Sequence, residues 1–296
     1  MNDKPTMKKT LKAFLYLLPA LIIIGVFNLY PIIKSFLMSF YTDYDYFNDL
    51  VYARGLANYT YIFHDPEFWR SLKNTLIFVI GVVPLTIIIS LGIAILLNQN
   101  IKLRGLFRTV YFIPFVTSVV AVSIVWRWIF HSDYGLLNYF LGLIGISPIK
   151  WLTDPNWAMP SLIILAIWKG LGYNIIIFLA GLQNINKQYY LAAKIDGANA
   201  WERFKNITFP LLSSTTFFIS IVSIINSFKV FDEVFALFGG NAGPANSAQT
   251  IVYYIFKKFY SDWDFGVASA AAYILFLVIF IFTLIQLYIG KRKVNY

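Results

Sequence analysis

The sequence has no cysteine, only two histidines and few charged residues. Without cysteine, disulfides and thiolate metal sites are excluded. His64 and His131 stand in segments between apolar runs, and no arrangement around them is typical of a metal centre. Only 13% of the 296 residues are charged, which is too few for the solvated surface of an ordinary globular protein of this length. We therefore expect no metal chemistry and no conventional soluble fold.

Two signatures of enzymes are also missing from the sequence. No G-x-x-x-x-G-K-[ST] occurs, so the chain has no P-loop with which to hold nucleotide phosphates. No Ser/His/Asp set is placed to pair a nucleophile with its base. The sequence predicts that the chain is not an enzyme by itself and binds no cofactor of its own.

Long apolar runs dominate what is present. The chain is 59% hydrophobic, with a mean hydropathy of +0.67. A run of about 20 apolar residues spans the ~30 Å hydrocarbon layer as a helix, and these runs are continuous rather than alternating, which excludes a membrane β-barrel. The first run is too long for a cleavable signal peptide. The sequence predicts an all-α integral membrane protein with six helices, at about 13–38, 74–97, 109–130, 158–182, 213–238 and 266–289.

Basic residues indicate the orientation of these helices. Fourteen of them fall on one side, whereas the opposite loops hold fewer basic residues and nine carboxylates. By the positive-inside rule, both termini are predicted to be cytoplasmic. The net charge of +10 is thus explained by topology, and no nucleic-acid partner is expected. The fourteen are Lys4, Lys8, Lys9, Lys12, Lys102, Arg104, Arg108, Lys187, Lys194, Arg203, Lys205, Lys291, Arg292 and Lys293.

The cytoplasmic loop between the fourth and fifth helices contains the polar stretch LAAKIDGANAWERFKNITFPLL, residues 191–212. Gly197 is suited to the left-handed end of one short helix, and Asn199 with Glu202 has the spacing of a capping box that starts another. Trp201 and Phe204 would share a face, and Pro210 would lie in the first turn of the fifth membrane helix. These aromatic residues would either rest on lipid headgroups and helix ends or insert into a cytoplasmic partner.

Polar residues within the fourth and fifth helices are candidates for a substrate path. Lys169 lies near the middle of its helix, where a lysine costs about 2.5–3.5 kcal/mol, so it should face a cavity or a partner. Lys229 and Glu233 are spaced for an i, i+4 ion pair. Hydrogen bonding between helices is the alternative role for the uncharged members. Arg127, between Trp126 and Trp128, is expected to anchor the outer end of the third helix. The candidates are Trp168, Lys169, Gly172, Tyr173, Asn174, Ser223, Asn226, Ser227 and Lys229.

The cytoplasmic stretch resembles the E-A-A-x-x-D-G-A…F…I-x-x-P-L-L loop of binding-protein-dependent ABC importer permeases. Further blocks, such as YLLPALIIIGVFNLYPIIKSFLMSF and FKVFDEVFALFGGNAGPANSAQTIVYYIF, are similar to the carbohydrate-uptake, maltose-type branch over essentially the full length. Leu191 stands where the family usually has Glu, so a salt bridge from that position is not expected. The matching residues are Ala192, Ala193, Asp196, Gly197, Ala198, Phe204, Ile207, Pro210 and Leu211.

The resemblance implies a single transmembrane permease domain, residues 1–296, with the type I ABC importer fold, in a prokaryotic cell membrane. It implies that the loop is the coupling helix between helices 4 and 5, which contacts a separate ATPase, and that helices 4 and 5 line a sugar pocket. Implied partners are a second, non-identical permease, two cytoplasmic ATPase subunits that bind ATP and Mg, an extracytoplasmic solute-binding protein, and membrane lipid. The implied ATPase-coupling residues are Ala192, Ala193, Asp196, Gly197, Ala198, Trp201, Phe204 and Pro210.

Two alternatives to import of a neutral oligosaccharide remain at this point. Lys169 and Lys229 would also suit an anionic sugar or a polyol phosphate. From another class, the chain could be an ion-coupled secondary transporter or a channel, although such carriers usually show paired intramembrane carboxylates or broken helices in both halves of an inverted repeat.

The asymmetry of basic residues leads to a test of topology. A reporter that is active only in the cytoplasm should be active when fused after Tyr296 and inactive when inserted near Asp154. Reporter activity in whole cells is the measurement. Activity at Asp154 would contradict the six-helix orientation.

Overall fold

A computed structural model describes residues 7–99 and 102–293 of the chain. The two ends that we expect in the cytoplasm, residues 1–6 and 294–296, lie outside the described residues. The helices are α1 Met7–Ile24, α2 Tyr30–Met38, α3 Ala57–His64, α4 Pro66–Leu97, α5 Arg104–Val116, α6 Val119–Ile129, α7 Leu136–Leu143, α8 Pro155–Asn184, α9 Lys187–Ile195, α10 Ala200–Arg203, α11 Phe209–Leu211, α12 Ser213–Phe228, α13 Asp232–Leu237, α14 Ile251–Phe256 and α15 Phe265–Lys293.

Within the described residues, four helical segments are long and apolar enough to cross a membrane, and up to six if each of two bent helix pairs is counted as one span. The four are Leu11–Met38, Pro66–Leu97, Pro155–Asn184 and Phe265–Lys291. They coincide with the predicted first, second, fourth and sixth runs. The second helix begins at Pro66, eight residues before the apolar run, because Phe68 and Ser71 continue its buried face beyond the hydrocarbon-length window.

The prediction of one continuous third helix over 109–130 is wrong. The structure has two helices, α5 and α6, which meet at 102° around Thr117 and Ser118. Both residues have extended ψ angles, 144° and 131°, and the Thr117 hydroxyl donates to the carbonyl of Ile113 at 2.7 Å. The carbonyl of Ile113 accepts from the amide of Thr117 as well, at 3.1 Å. A threonine that bonds back to the preceding turn in this way often bends a helix, a local effect that hydropathy does not register.

The fifth predicted helix, 213–238, is also divided. Helix α12 ends at Phe228, and α13 begins at Asp232 after a non-helical turn. The hydroxyl of Thr250 donates to the carbonyl of Val230 at 2.9 Å, so the turn exchanges a helical hydrogen bond for a side-chain one. Pro210 is not in the first turn of this helix, as predicted, but in α11, before a 63° bend at Leu212.

The chain forms two compact units. The first comprises Met1–Asp65 and Ile255–Ile274. It contains an antiparallel hairpin of β1 Tyr41–Asp45 and β2 Leu50–Arg54, which we did not predict from the sequence, with Tyr41 opposite Arg54. Asn58 is buried beside it and donates to the carbonyls of Ser39 and Tyr41 at 3.0 and 2.8 Å, which connects α3 to the start of the hairpin.

The second unit comprises Pro66–Tyr254 and Leu275–Tyr296. Helix α4 packs along α8, and α5 and α12 pack against the same pair. One apolar cluster surrounds Phe130, Leu162 and Val234, and another surrounds Phe178 and Ile219. Long helices that share apolar faces in this way bring the interior-facing polar residues of α8 and α12 to one place.

The contact between α5 and α8 depends on a glycine. A β-carbon at Gly172 would overlap the carbonyl oxygen of Tyr111, which is backbone and cannot move aside. Small residues allow this close approach between membrane helices. At Gly170, two residues earlier in the same helix, a β-carbon would only make an ordinary 3.5 Å contact with the Thr86 methyl group.

We expect Gly172→Ala to destabilise the protein and Gly170→Ala not to, because only the first substitution forces two backbones apart. Overpacking typically costs about 1–3 kcal/mol, whereas alanine is otherwise the better helix former by about 1 kcal/mol. The measurement is the melting temperature of each purified variant in detergent. Equal melting temperatures for the two variants would contradict the close packing at Gly172.

Candidate functional site

A cavity of about 310 Å³ opens between α4, α8, α12 and the turn that follows α12. This volume is at the lower end of the range for small-molecule sites, which combine apolar walls with a few convergent polar groups. Phe78, Val82 and Val83 of α4 form much of the apolar wall. Seven of the nine predicted substrate-path residues line the cavity: Lys169, Tyr173, Asn174, Ser223, Asn226, Ser227 and Lys229.

The other two predicted residues do not line it. Gly172 is buried against Tyr111, where it serves helix packing. Trp168 lies outside the cavity and packs edge-to-face on Trp126, with ring centroids 5.6 Å apart. From the helical spacing, Gly172 was predicted to share the face of Lys169. It lies three residues further along the helix, and this rotation directs it towards α5 instead of the cavity.

Two nearly buried polar side chains in the cavity wall have no protein partner among the described residues. Asn174 is 3% exposed and Ser227 is 8% exposed. In the range that the structure describes, neither the Asn174 amide nor the Ser227 hydroxyl forms a hydrogen bond, although both residues line the cavity. Since buried polar groups are nearly always bonded, these two are available to a polar ligand or to water. The alternative of hydrogen bonding between helices is not observed for them.

Lys169 both lines the cavity and has a partner, as its position in the middle of a membrane helix required. Its Nζ donates to Oε1 of Glu233 at 2.9 Å, and the two side chains are 17% and 19% exposed. The predicted pairing of Lys229 with Glu233 is therefore wrong. It assumed that α12 continues to residue 238, whereas the turn at 229–231 carries Glu233 across to α8. Within residues 7–99 and 102–293, Lys229 has no ion pair.

Aromatic rings lie at the cavity on the side of α5. Tyr173 stacks on Phe115, with ring centroids 5.1 Å apart and planes at 25°. Phe115 comes just before the break between α5 and α6, and the sequence analysis did not select it. Thr86 and the apolar residues of α4 were not predicted either, because a position inside an apolar run carries no signal of which face of the helix it occupies. The charges of Asp232 and Glu233 are evident in the sequence, but their position in the cavity wall is not.

Arg127, the predicted anchor of the outer end of α6, is exposed. Its guanidinium lies beside Gly239, where a β-carbon would be 3.5 Å from the nearest nitrogen. Arg127 therefore approaches the loop after α13 in addition to standing between two tryptophans.

Residues 191–212 fold as predicted, as two short helices with a corner at Gly197. Gly197 has φ = +79°, and its amide donates to Lys194 O at 3.2 Å while that of Ala198 donates to Ala193 O at 2.8 Å. This pair of bonds is the Schellman arrangement, in which glycine is strongly favoured. Asp196 is the last residue before the corner.

The second short helix begins with the predicted capping box. Asn199 Oδ1 accepts from the Glu202 amide at 3.0 Å, and Glu202 Oε2 accepts from the Asn199 amide at 2.7 Å. A π-helical turn, Phe204–Thr208, continues it to α11. Tyr190 of α9 is hydrogen-bonded to Thr208 at 2.9 Å, so the two arms of the corner are joined directly.

One side of this corner is apolar and exposed. Ile195 is 87% exposed, Trp201 is 67% exposed, and Leu191 is also exposed. Trp201 stacks on Phe204 with centroids 5.4 Å apart, so the predicted common face of the two aromatic residues is confirmed. Large exposed apolar side chains on a rigid element are typical of a surface that is covered by another molecule.

Solved structures show what class of protein this architecture defines. A chain from a bacterial ABC transporter involved in import of the acidic polysaccharide alginate matches 98% of this chain and 98% of its own length, with a TM-score of 0.82 and 24% identity. The same transporter type in complex with an alginate pentasaccharide-bound periplasmic protein gives a TM-score of 0.84 at 23% identity. The fold is that of a type I ABC importer permease.

The chain belongs to the family of binding-protein-dependent transport system inner membrane components, whose model matches residues 86–295. It is 40% identical to the lactose transport system permease protein LacF of Rhizobium radiobacter, over 95% of this chain and 94% of that one. It is 32% identical to the trehalose/maltose transport system permease protein MalF of Thermococcus litoralis, over 99% and 98% of the two chains. It is 36% identical to the arabinooligosaccharides transport system permease protein AraP of Bacillus subtilis, over 93% and 87%.

Family membership confirms the predicted class. The chain is a multi-pass inner membrane component of an importer and not its ATPase. Among the described residues, no group of three His, Cys, Asp or Glu side chains could hold a metal ion.

The Lys169–Glu233 pair leads to a prediction of non-additive stability. Lys169→Met or Glu233→Gln alone leaves one largely buried charge without its partner, and each should cost about 1–3 kcal/mol, or roughly 2–5 °C in melting temperature. The double variant leaves no orphaned charge, so it should be more stable than the sum of the single effects predicts. Thermal melting in detergent measures this. The control is Lys150→Met, which removes an exposed lysine and should change little. Additive effects would show that the two charges do not interact.

Proposed function

We propose that this chain is the permease subunit of an ATP-driven importer that moves a sugar, and in particular an oligosaccharide, into the cytoplasm. The observation that carries the substrate class is the cavity, which is lined by the Asn174 amide and the Ser227 hydroxyl, unpartnered among the described residues, and by the stacked Tyr173 and Phe115 rings. Donors and acceptors beside aromatic faces suit a polyhydroxylated ring. The names of relatives that are 32–40% identical over nearly the whole chain support the same class.

The proposed complex contains this chain, a second and non-identical permease, two cytoplasmic ATPase subunits that bind ATP and Mg, and an extracytoplasmic solute-binding protein. The description of the family as binding-protein-dependent supports the last of these. We place both termini and residues 191–212 in the cytoplasm, on the basis of the fourteen basic residues. An ion-coupled carrier is less well supported, because the largely buried carboxylate of Glu233 is already neutralised by Lys169.

Residues 191–212 are proposed as the mechanical contact with an ATPase subunit. The corner at Gly197 is held by backbone bonds and a capping box, and its exposed Ile195 and Trp201 provide apolar surface for a cleft in the partner. Only Leu212 separates α11 from α12, so a displacement of the corner is passed to the membrane helix with little slack. The coupling residues in this proposal are Ala192, Ala193, Asp196, Gly197, Ala198, Trp201, Phe204 and Pro210.

Replacement of Gly197 tests the coupling role. We expect Gly197→Val to abolish ATPase binding or to uncouple ATP hydrolysis from the permease, because a β-branched residue resists a φ of +79° and alters the corner. The measurements are co-purification of the ATPase with the permease pair, and ATP hydrolysis stimulated by the loaded binding protein. The matched control is Gly145→Val, which has nearly the same φ, +78°, equally open surroundings and a position on the predicted outer side. If both variants retain full stimulation, the assigned coupling role is wrong.

A milder variant separates contact from backbone strain. Trp201→Ala removes an exposed ring without disturbing the corner, and should weaken ATPase retention by about tenfold or more, as loss of an interfacial tryptophan does. Tyr139→Ala, which removes an equally exposed ring from α7 on the opposite side, is its control.

A further inference from the structure

The charged groups of the cavity balance one another. Four charged side chains line it: Lys169, Lys229, Asp232 and Glu233. Two are basic and two are acidic, so their formal charges sum to zero. The pair that lies deepest, Lys169 with Glu233, is closed by a 2.9 Å hydrogen bond, while Lys229 and Asp232 are exposed.

This arrangement changes the role of Lys169. An unpaired ammonium at mid-membrane would attract a carboxylate, sulfonate or phosphate on the substrate. Here the ammonium already holds a protein carboxylate, with both side chains more than four-fifths buried. A substrate anion could reach Lys169 only beside Glu233 or in its place. The first puts two like charges together in a poorly solvated site, and the second leaves the carboxylate of Glu233 without its partner.

Neutral groups meet no such barrier. The Asn174 amide and the Ser227 hydroxyl are unpartnered within the described ranges and line the same cavity, so each can bond a sugar hydroxyl without displacing a protein group. Among the buried groups of the cavity, the polar capacity left open is therefore uncharged, whereas Lys229 and Asp232 are exposed and their formal charges cancel.

We infer that the Lys169–Glu233 ion pair makes the cavity selective for uncharged carbohydrates over carboxylated ones, and that Glu233 is a specificity-determining residue. This inference rests on the proposed function. Glu233 acts in two ways, because it neutralises the ammonium that would favour an anion and repels an anion that approaches. The exposed Asp232 adds a smaller repulsion of the same sign.

The test measures binding to the purified permease–ATPase complex in nanodiscs without the binding protein, so that only the membrane site selects. The probes are neutral di- and trisaccharides, each compared with its counterpart in which one hydroxymethyl group is oxidised to a carboxylate. We expect the wild type to bind at least one neutral sugar about tenfold or more tightly than its carboxylated counterpart. Glu233→Gln should reduce this preference by about tenfold, since it frees the ammonium and removes the repulsion.

Three further variants keep the result interpretable. Lys169→Met with Glu233→Gln removes both charges and should restore a preference for the neutral sugar. Asp232→Asn leaves the ion pair intact, removes an exposed carboxylate rather than a buried one, and should reduce the preference by about threefold. Asp133→Asn makes the same change of net charge at an exposed position outside the cavity and should leave the preference unchanged.

The outcomes separate the two claims. If neither neutral nor carboxylated sugars bind the wild type, the proposed sugar pocket fails and the inference fails with it. If sugars bind but Glu233→Gln and Asp232→Asn leave the preference unchanged, or the wild type favours the carboxylated member, only the inference is overturned.

Discussion

In hydrocarbon every backbone polar group needs a partner within the protein, and this requirement determines where the chain can leave the helical path. At the break between α5 and α6 the carbonyl of Ile113 accepts from both the amide and the hydroxyl of Thr117, and after α12 the carbonyl of Val230 accepts from the hydroxyl of Thr250. Both interruptions adjoin the cavity, at Phe115 and at Lys229–Phe231 respectively. Irregular backbone at membrane depth is tolerated where it lines a cavity, so the broken helices and the proposed substrate site are two results of one constraint.

The turn after α12 is what makes the site chemically distinct. An uninterrupted helix would direct Glu233 along the axis of α12, within reach of Lys229. The turn instead brings it to Lys169 of α8, so two segments 64 residues apart share an ion pair at the cavity wall. Glu233, which an uninterrupted helix would pair with Lys229, thus becomes part of the cavity wall beside Lys169.

Hydropathy was sufficient for the four long helices, because a 20-residue apolar run has no other stable state in a membrane. Local rules were sufficient for the corner at Gly197 and the Asn199–Glu202 capping box, since every determinant lies within a few residues. The same rules failed at Thr117 and after Phe228, where a single hydroxyl or a distant partner decides. They could not identify the α4 residues that line the cavity. Val82 and Val83 are chemically similar to the apolar residues of that helix that face elsewhere. The Tyr41–Arg54 hairpin was missed because it stands in a short polar segment that the search for membrane spans passed over.

The hydrogen-bonded corner of residues 191–212 also has an entropic consequence. Because its Schellman bonds, its capping box and the Tyr190–Thr208 bond are all internal to the permease, the surface has its final shape before any ATPase arrives. In the proposed complex, association then requires no coupled folding, so little binding energy is lost to ordering the chain. In the proposed orientation, a permease without its ATPase would present Ile195 and Trp201 to the cytosol, where exposed apolar groups promote aggregation and recognition by chaperones and proteases. The lifetime of the unassembled subunit would accordingly depend on how soon its partner is supplied.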